Sequence, residues 1–169
     1  MFLVQHRYVA SAMSNPWPLV GHERLFYGDP AKVEAKLVLV VPPFKIYYEG
    51  IQTKGIRIHP KLVDSLKAVL HEVMEYYQTQ QAIDVNHVSN YSGSYAARPI
   101  RGSTKTSMHA YGAAIDFDAE HNQMTQSKTA GFFKAEHPLV KAFKVQGWFW
   151  GGDYKNRRDP MHFEALRYK

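Results

Sequence analysis

The stretch 106-TSMHAYGAAIDFD-118 decides how this chain is read. Its end, AAIDFD, alternates as a β-strand does, so the period of two sends Ile115 and Phe117 to one face and Ala114, Asp116 and Asp118 to the other. The apolar pair belongs in the core. Asp116 then points away from it, into a face kept open by Ala113 and Ala114, and His109 reaches that face across the turn that Gly112 permits. The stretch 157-RRDPMHFEAL-166 repeats the pattern: Met161 and Phe163 point one way, His162 and Glu164 the other. Asp159 precedes them across a proline.

Working outward, 35-AKLVLVV-41 and 44-FKIYYEG-50 read as strands among the punctuating NPWP, GDP and VPPF segments. Residues 60 to 80 place Leu62, Leu66, Val69, Val73 and Tyr76 on one helical face, with Pro60 at the first position. A shorter helix is predicted over Pro138 to Gln146, ended by Gly147. The segments QAIDVNHVS, AAIDFD and MHFEAL read as strands. Residues 89 to 107 and 119 to 136 read as long loops, the places where a substrate is expected to touch a compact protein.

Composition narrows the chemistry. The chain has 169 residues, enough for one domain with one core. Its 45% hydrophobic and 21% charged residues describe a folded globular protein. Cysteine is absent, which excludes disulfides, thiolate catalysis and cysteine-based metal sites. Any metal must therefore sit on His, Asp or Glu. The formal charge of +6 favours polyanionic surroundings without choosing among nucleic acid, lipid and cell-wall polymer. The lysines and arginines are scattered and no nucleic-acid-binding motif occurs, so no specific nucleic-acid partner is expected. No apolar run is long enough to span a bilayer. The start MFLVQHRYVASAM lacks a basic leader and a sustained apolar core, so synthesis in the cytoplasm without a signal peptide is expected.

Two histidines and a carboxylate suffice for the inner shell of a catalytic zinc with an open position for water. Such an ion lowers the pKa of its water toward roughly 7 and polarises a carbonyl. Asp159, three residues before His162, is the candidate proton acceptor. Taken singly, His109 and His162 are equally compatible with hydrogen-bonded structural histidines. Other chemistries have less support. The sequence HEVME at 71 to 75 lacks the second histidine of a helical zinc motif, and His71 is expected on a solvated face. KTS at 105 to 107 is similar to the K-T-G box of serine enzymes, yet no S-x-x-K and no G-x-S-x-G occurs. Asp118 and His121 read as loop residues.

SMHAYGAAIDFD together with FWGGDYKNRRDPMHFE resembles the M15 family of zinc peptidases that cut peptidoglycan peptides, through its S-x-H-x-x-G-x-A-x-D and later D/E-x-x-H motifs. The resemblance covers residues 89 to 164, with a best-matched core at 58 to 166; residues 1 to 50 are an extension of uncertain role within a single domain of residues 1 to 169. It implies an α+β fold, an antiparallel sheet flanked by helices of the Hedgehog/D-Ala-D-Ala-peptidase type. It implies one Zn2+ held by His109, Asp116 and His162, with Asp159 as catalytic base. Many members of the family carry glutamate at that place, whereas aspartate is usual in the phage-lysin-like L-alanyl-D-glutamate endopeptidase branch. An arginine ahead of the first motif, Arg98 by its Y-x-x-R setting, is implied as oxyanion partner, with Arg101 the alternative.

Ser107 is expected to hydrogen-bond the loop or the substrate, and Glu164 to orient a ligand imidazole or to pair with an arginine. Trp148, Phe149 and Trp150 read as core and cleft wall. The expected activity is therefore hydrolysis of peptidoglycan stem peptides by a monomeric, endolysin-like enzyme whose positive charge suits an anionic wall outside the membrane. A D-alanyl-D-alanine carboxypeptidase is the alternative, with Arg98, Arg101 or Lys105 holding the free carboxylate. A non-catalytic wall-binding module with structural zinc is the alternative of another class.

Overall fold

A computed structural model describes residues 15–127 and 129–169. The N-terminal stretch read for a signal peptide lies outside the described residues. The central element is a four-stranded antiparallel sheet in the order β5-β6-β8-β7, formed by β5 (Tyr91–Gly93), β6 (Ala114–Phe117), β7 (Phe149–Trp150) and β8 (His162–Glu164). The register of β6 on β8 pairs Ala114 with Glu164, Ile115 with Phe163 and Asp116 with His162. Directly opposed residues share a face. Ile115, Phe117 and Phe163 are fully buried on the core side, and Asp116 and His162 project together from the other.

Helices α2 (Val63–Tyr77) and α4 (Pro138–Val145) pack on each other and close the core, which Leu66, Val69, Leu70, Val73, Leu139 and Phe143 fill. The predicted long helix begins as a 3-10 turn at Pro60–Leu62 and passes into α2. Its apolar face differs at one end from the sequence expectation, because Tyr76 is 66% exposed and Tyr77 packs partly against the core. A strict alternation of three and four residues repeats every 3.5, whereas a straight helix needs 3.6, so the buried stripe drifts from position 76 to 77. Helix α4 ends where Gly147 takes φ 78°, as expected.

Two segments depart from their predicted states. QAIDVNHVS is not a strand: Gln80–Val85 forms α3, whose first turn is capped by Thr79 Oγ1 accepting from the Ala82 amide at 3.1 Å. The cap outweighs the β-branched residues of this short segment. The 89–107 stretch is not all loop, since β5 pairs with β6 through a register shift at Tyr91/Gly93.

Strands β1 (Val38–Val40) and β4 (Ile56–Ile58) form one small antiparallel sheet, and β2 (Ile46–Tyr48) and β3 (Ile51–Thr53) another. Residues 15–50 are tied into the rest rather than appended to it. Trp17 Nε1 donates to the Gln146 carbonyl at 3.0 Å, and Tyr27, in helix α1 (Glu23–Tyr27), donates its hydroxyl to the Ala165 carbonyl at 2.6 Å. Val40 and Ile46 are buried in the common core. No helix of the described residues is long and apolar enough to cross a membrane.

Candidate metal centre

His109 lies in the 3-10 turn Met108–Tyr111, which Ser107 caps by accepting from the His109 amide at 3.3 Å. Gly112 ends the turn at φ 60°, a left-handed conformation, and a side chain there would strike Leu37. The chain then enters β6, so His109 and Asp116 are brought to one place by a turn and three strand positions. His162 arrives from β8 through its register opposite Asp116.

The ligand atoms of His109, Asp116 and His162 all lie within 4.8 Å of one another. His162 Nδ1 is 2.9 Å from Asp116 Oδ1, His109 Nε2 is 3.2 Å from Asp116 Oδ2, and the two facing imidazole nitrogens are 3.2 Å apart. His109 Nδ1 lies 3.1 Å from the Ser94 carbonyl, which can only accept. That bond puts the His109 proton on Nδ1 and leaves the Nε2 lone pair facing the cluster. His162 Nε2 likewise lies 3.3 Å from Glu164 Oε2, which directs its Nδ1 lone pair inward. Lone pairs of two imidazoles and a carboxylate thus converge with no donor among them, an arrangement that a cation satisfies. This donor set fits a borderline cation such as zinc.

Electrostatics agree with that requirement. Burial opposes the charge on Asp116, but the two facing rings of His109 and His162 outweigh it and hold the carboxyl far below the usual range. Burial also opposes a charge on His162, yet Asp116 and Glu164 raise it well above an ordinary histidine. The pocket is built to hold positive charge.

Glu164 is buried, and its Oε1 accepts from the hydroxyls of Tyr154 and Tyr168, each at 2.6 Å. It orients His162 and pairs with no arginine among the described residues. Asp159 has a buried Oδ1 without a hydrogen-bond partner. Burial raises its pKa above the ordinary carboxylate value, and its backbone carbonyl accepts from the His162 amide at 3.0 Å, which puts it next to the cluster. Gly151 permits this approach: a Cβ there would meet the Asp159 backbone and come within 3.1 Å of His162 Cβ.

The other sequence candidates sit farther out. Arg98 is exposed, with Nη1 3.4 Å from the Pro99 carbonyl, and it makes no side-chain bond to the cluster. Its loop runs along the His109 turn, for the Ala96 amide donates to the His109 carbonyl and the Ser107 amide to that of Arg98, both at 3.3 Å. A cleft of about 310 Å³ lies there, lined by Pro30, Ala97, Arg98, Pro99, Thr106 and Ala110. Arg101 and Lys105 are exposed on the same loop. Trp148 and Trp150 are buried in the core, Phe149 is half-buried, and His71 is exposed. Sequence reasoning did not find the Ser94 carbonyl, which any residue type supplies, nor the two tyrosines that hold Glu164.

Residues 101–165 match the family model of M15 peptidases described as D-alanyl-D-alanine carboxypeptidase. The matched span contains His109, Asp116, Asp159, His162 and Glu164. It supports the M15 peptidases as the family and peptide hydrolysis as the class of reaction. No curated protein and no solved structure matches the chain.

Proposed function

We propose that the protein is a zinc-dependent peptidase of peptidoglycan stem peptides, with His109, Asp116 and His162 as metal ligands and Asp159 as general base. The observation that carries this reading is the convergence of two proton-directed imidazoles and a carboxylate beside a buried, unpartnered Asp159 oxygen. Zinc held there would supply Lewis acidity, acidifying a water and polarising the scissile carbonyl. Asp159 takes the proton from the attacking water and returns it to the leaving amine, a task its raised pKa suits. Glu164 keeps His162 in the ligating tautomer, anchored by Tyr154 and Tyr168. Arg98 or Arg101 would reach the developing oxyanion by swinging in from the cleft edge.

For the bond cut, the aspartate at position 159 favours an L-alanyl-D-glutamate endopeptidase of the endolysin type, acting on the wall outside the membrane as a monomer. The carboxypeptidase description of the matching family favours D-alanyl-D-alanine cleavage as a second reading. Purified peptidoglycan incubated with wild type, Asp159→Ala and chelator-treated protein, followed by mass spectrometry, separates them. New N-terminal D-glutamate is expected, whereas released D-alanine would select the carboxypeptidase. Asp159→Ala should lose about 100-fold or more of the rate while retaining metal. Absence of metal-dependent cleavage of either bond would sink the proposal.

A further inference from the structure

A second His-Asp-His cluster stands at the far end of β6, unused by the chemistry above. Asp118 follows the strand, and its buried carboxylate faces two imidazoles: Oδ2 is 2.9 Å from His87 Nδ1, and Oδ1 is 2.8 Å from His121 Nδ1. Ligand atoms of the three residues all lie within 4.8 Å of one another. Two carboxamides fix the carboxylate from behind, Asn90 Nδ2 donating to Oδ1 at 3.1 Å and Asn122 Nδ2 to Oδ2 at 2.9 Å. Each carboxylate oxygen has two lone pairs, so one serves an amide and the other faces an imidazole.

A cation can take the place of the imidazole protons without disturbing this frame. A neutral imidazole moves its proton from Nδ1 to Nε2 and bares the nitrogen that faces Asp118. Tetrahedral bonds of about 2.0–2.1 Å to one ion place ligand atoms about 3.3 Å apart, so the two rings, which now face different carboxylate oxygens at 2.8 and 2.9 Å, withdraw by about half an ångström and turn toward a common point. The His87 ring is held in plane by stacking on Phe132, centroids 4.1 Å apart at 19°, and it meets the His121 ring edge-on at 4.5 Å. His87 and Asp118 both adopt left-handed backbone, φ 62° and 47°. The His121 side chain is 45% exposed, which leaves room for water to complete the shell. Nitrogen donors in the majority select a zinc-like transition metal over calcium or magnesium.

We propose that His87, Asp118 and His121 form a second transition-metal site that fastens the 119–136 loop to the end of β6. His87 comes from the α3–β5 connection, Asp118 from the strand end and His121 from the loop. The loop runs on to the catalytic side: Thr125 and Arg158 exchange backbone hydrogen bonds at 2.9 and 2.8 Å, and the Met161 amide donates to the Asn122 carbonyl at 3.2 Å. Metal at this second site steadies the frame that carries Asp159.

The test titrates untagged, chelator-stripped protein with zinc by calorimetry, then probes the 119–136 loop by limited proteolysis with and without zinc. Wild type takes two equivalents. His121→Asn keeps the first and weakens the second by about tenfold or more, and zinc no longer protects its loop. His109→Asn retains the second equivalent. His71→Asn, an exposed histidine on α2, behaves as wild type. A single equivalent in wild type that His109→Asn abolishes overturns the second site, as does a second equivalent unchanged in both His121→Asn and His87→Asn or equally weakened by His71→Asn. If wild type takes one equivalent and His109→Asn takes none, the second site fails while the peptidase site stands. If His109→Asn leaves uptake unchanged, it is the peptidase site that fails.

Discussion

Glu164 joins His162, a proposed metal ligand, to two tyrosine hydroxyls, and the energetics of that link are specific enough to test. Burial opposes its charge, but the His162 and tyrosine hydrogen bonds prevail and hold the carboxyl below its usual value. The tyrosines are in turn pushed well above the ordinary phenol range by burial and by Glu164, so they remain donors. Glu164→Gln keeps the shape but must turn an amide N–H toward either His162 or the tyrosines, leaving two donors facing each other. Metal affinity should fall by about 10–100-fold, as for other residues that orient a ligand imidazole. Competition against a chromophoric chelator measures this, and unchanged affinity would reduce Glu164 to a tyrosine acceptor. The position of Glu164 was legible because a strand of period two puts residue 164 on the face of residue 162. Tyr154 and Tyr168 were not, because they meet Glu164 through tertiary packing that no local spacing encodes.

At the scale of elements, α4 carries an acid-sensitive cap. His137 precedes Pro138, and its Nδ1 accepts from the Leu139 amide at 3.3 Å, a role open only to the unprotonated ring. Burial, with a smaller push from His87, lowers its pKa from 6.5 to about 4. In that interval the unfolded chain binds a proton that the folded chain refuses, so stability is complete above pH 6.5 and declines as the pH falls toward about 4. For a ring that remains partly exposed, the loss is about 1–2 kcal/mol after solvent screening. His137→Asn preserves a capping acceptor without titrating. Its denaturation midpoint should therefore fall less than that of wild type between neutral and mildly acidic buffer; parallel losses would show that the cap does not control the decline. Elements such as α4 and β6 were readable because proline, glycine and strict periodicity marked them locally. Helix α3 was misread because Thr79 lies outside the quoted apolar run, and its cap decides the state of a segment whose side chains favour strand.

Across the whole molecule, the candidate ligands come from a capped turn and two strands, and their shared site joins residues far apart in sequence. A site of that kind exists only in the folded chain, so a metal bound there would contribute directly to folding free energy. With free zinc at about 1,000 times the dissociation constant, the gain is about 4 kcal/mol. For a chain of this length each kcal/mol moves the melting temperature by about 2–4 °C, so chelation should lower it by about 10 °C. Running the comparison in His121→Asn removes the contribution of the second cluster and assigns the shift to the first. Adding Asp116→Ala to that background should abolish the zinc dependence, and calorimetric scans with and without chelator read both. A zinc-dependent shift that persists without Asp116 would mean that the ion stabilises some other part of the fold. The same reasoning explains why the second cluster escaped sequence reading: His87 and Asp118 are joined by the β5–β6 pairing, a contact between distant segments, whereas His109 and Asp116 share one turn and strand.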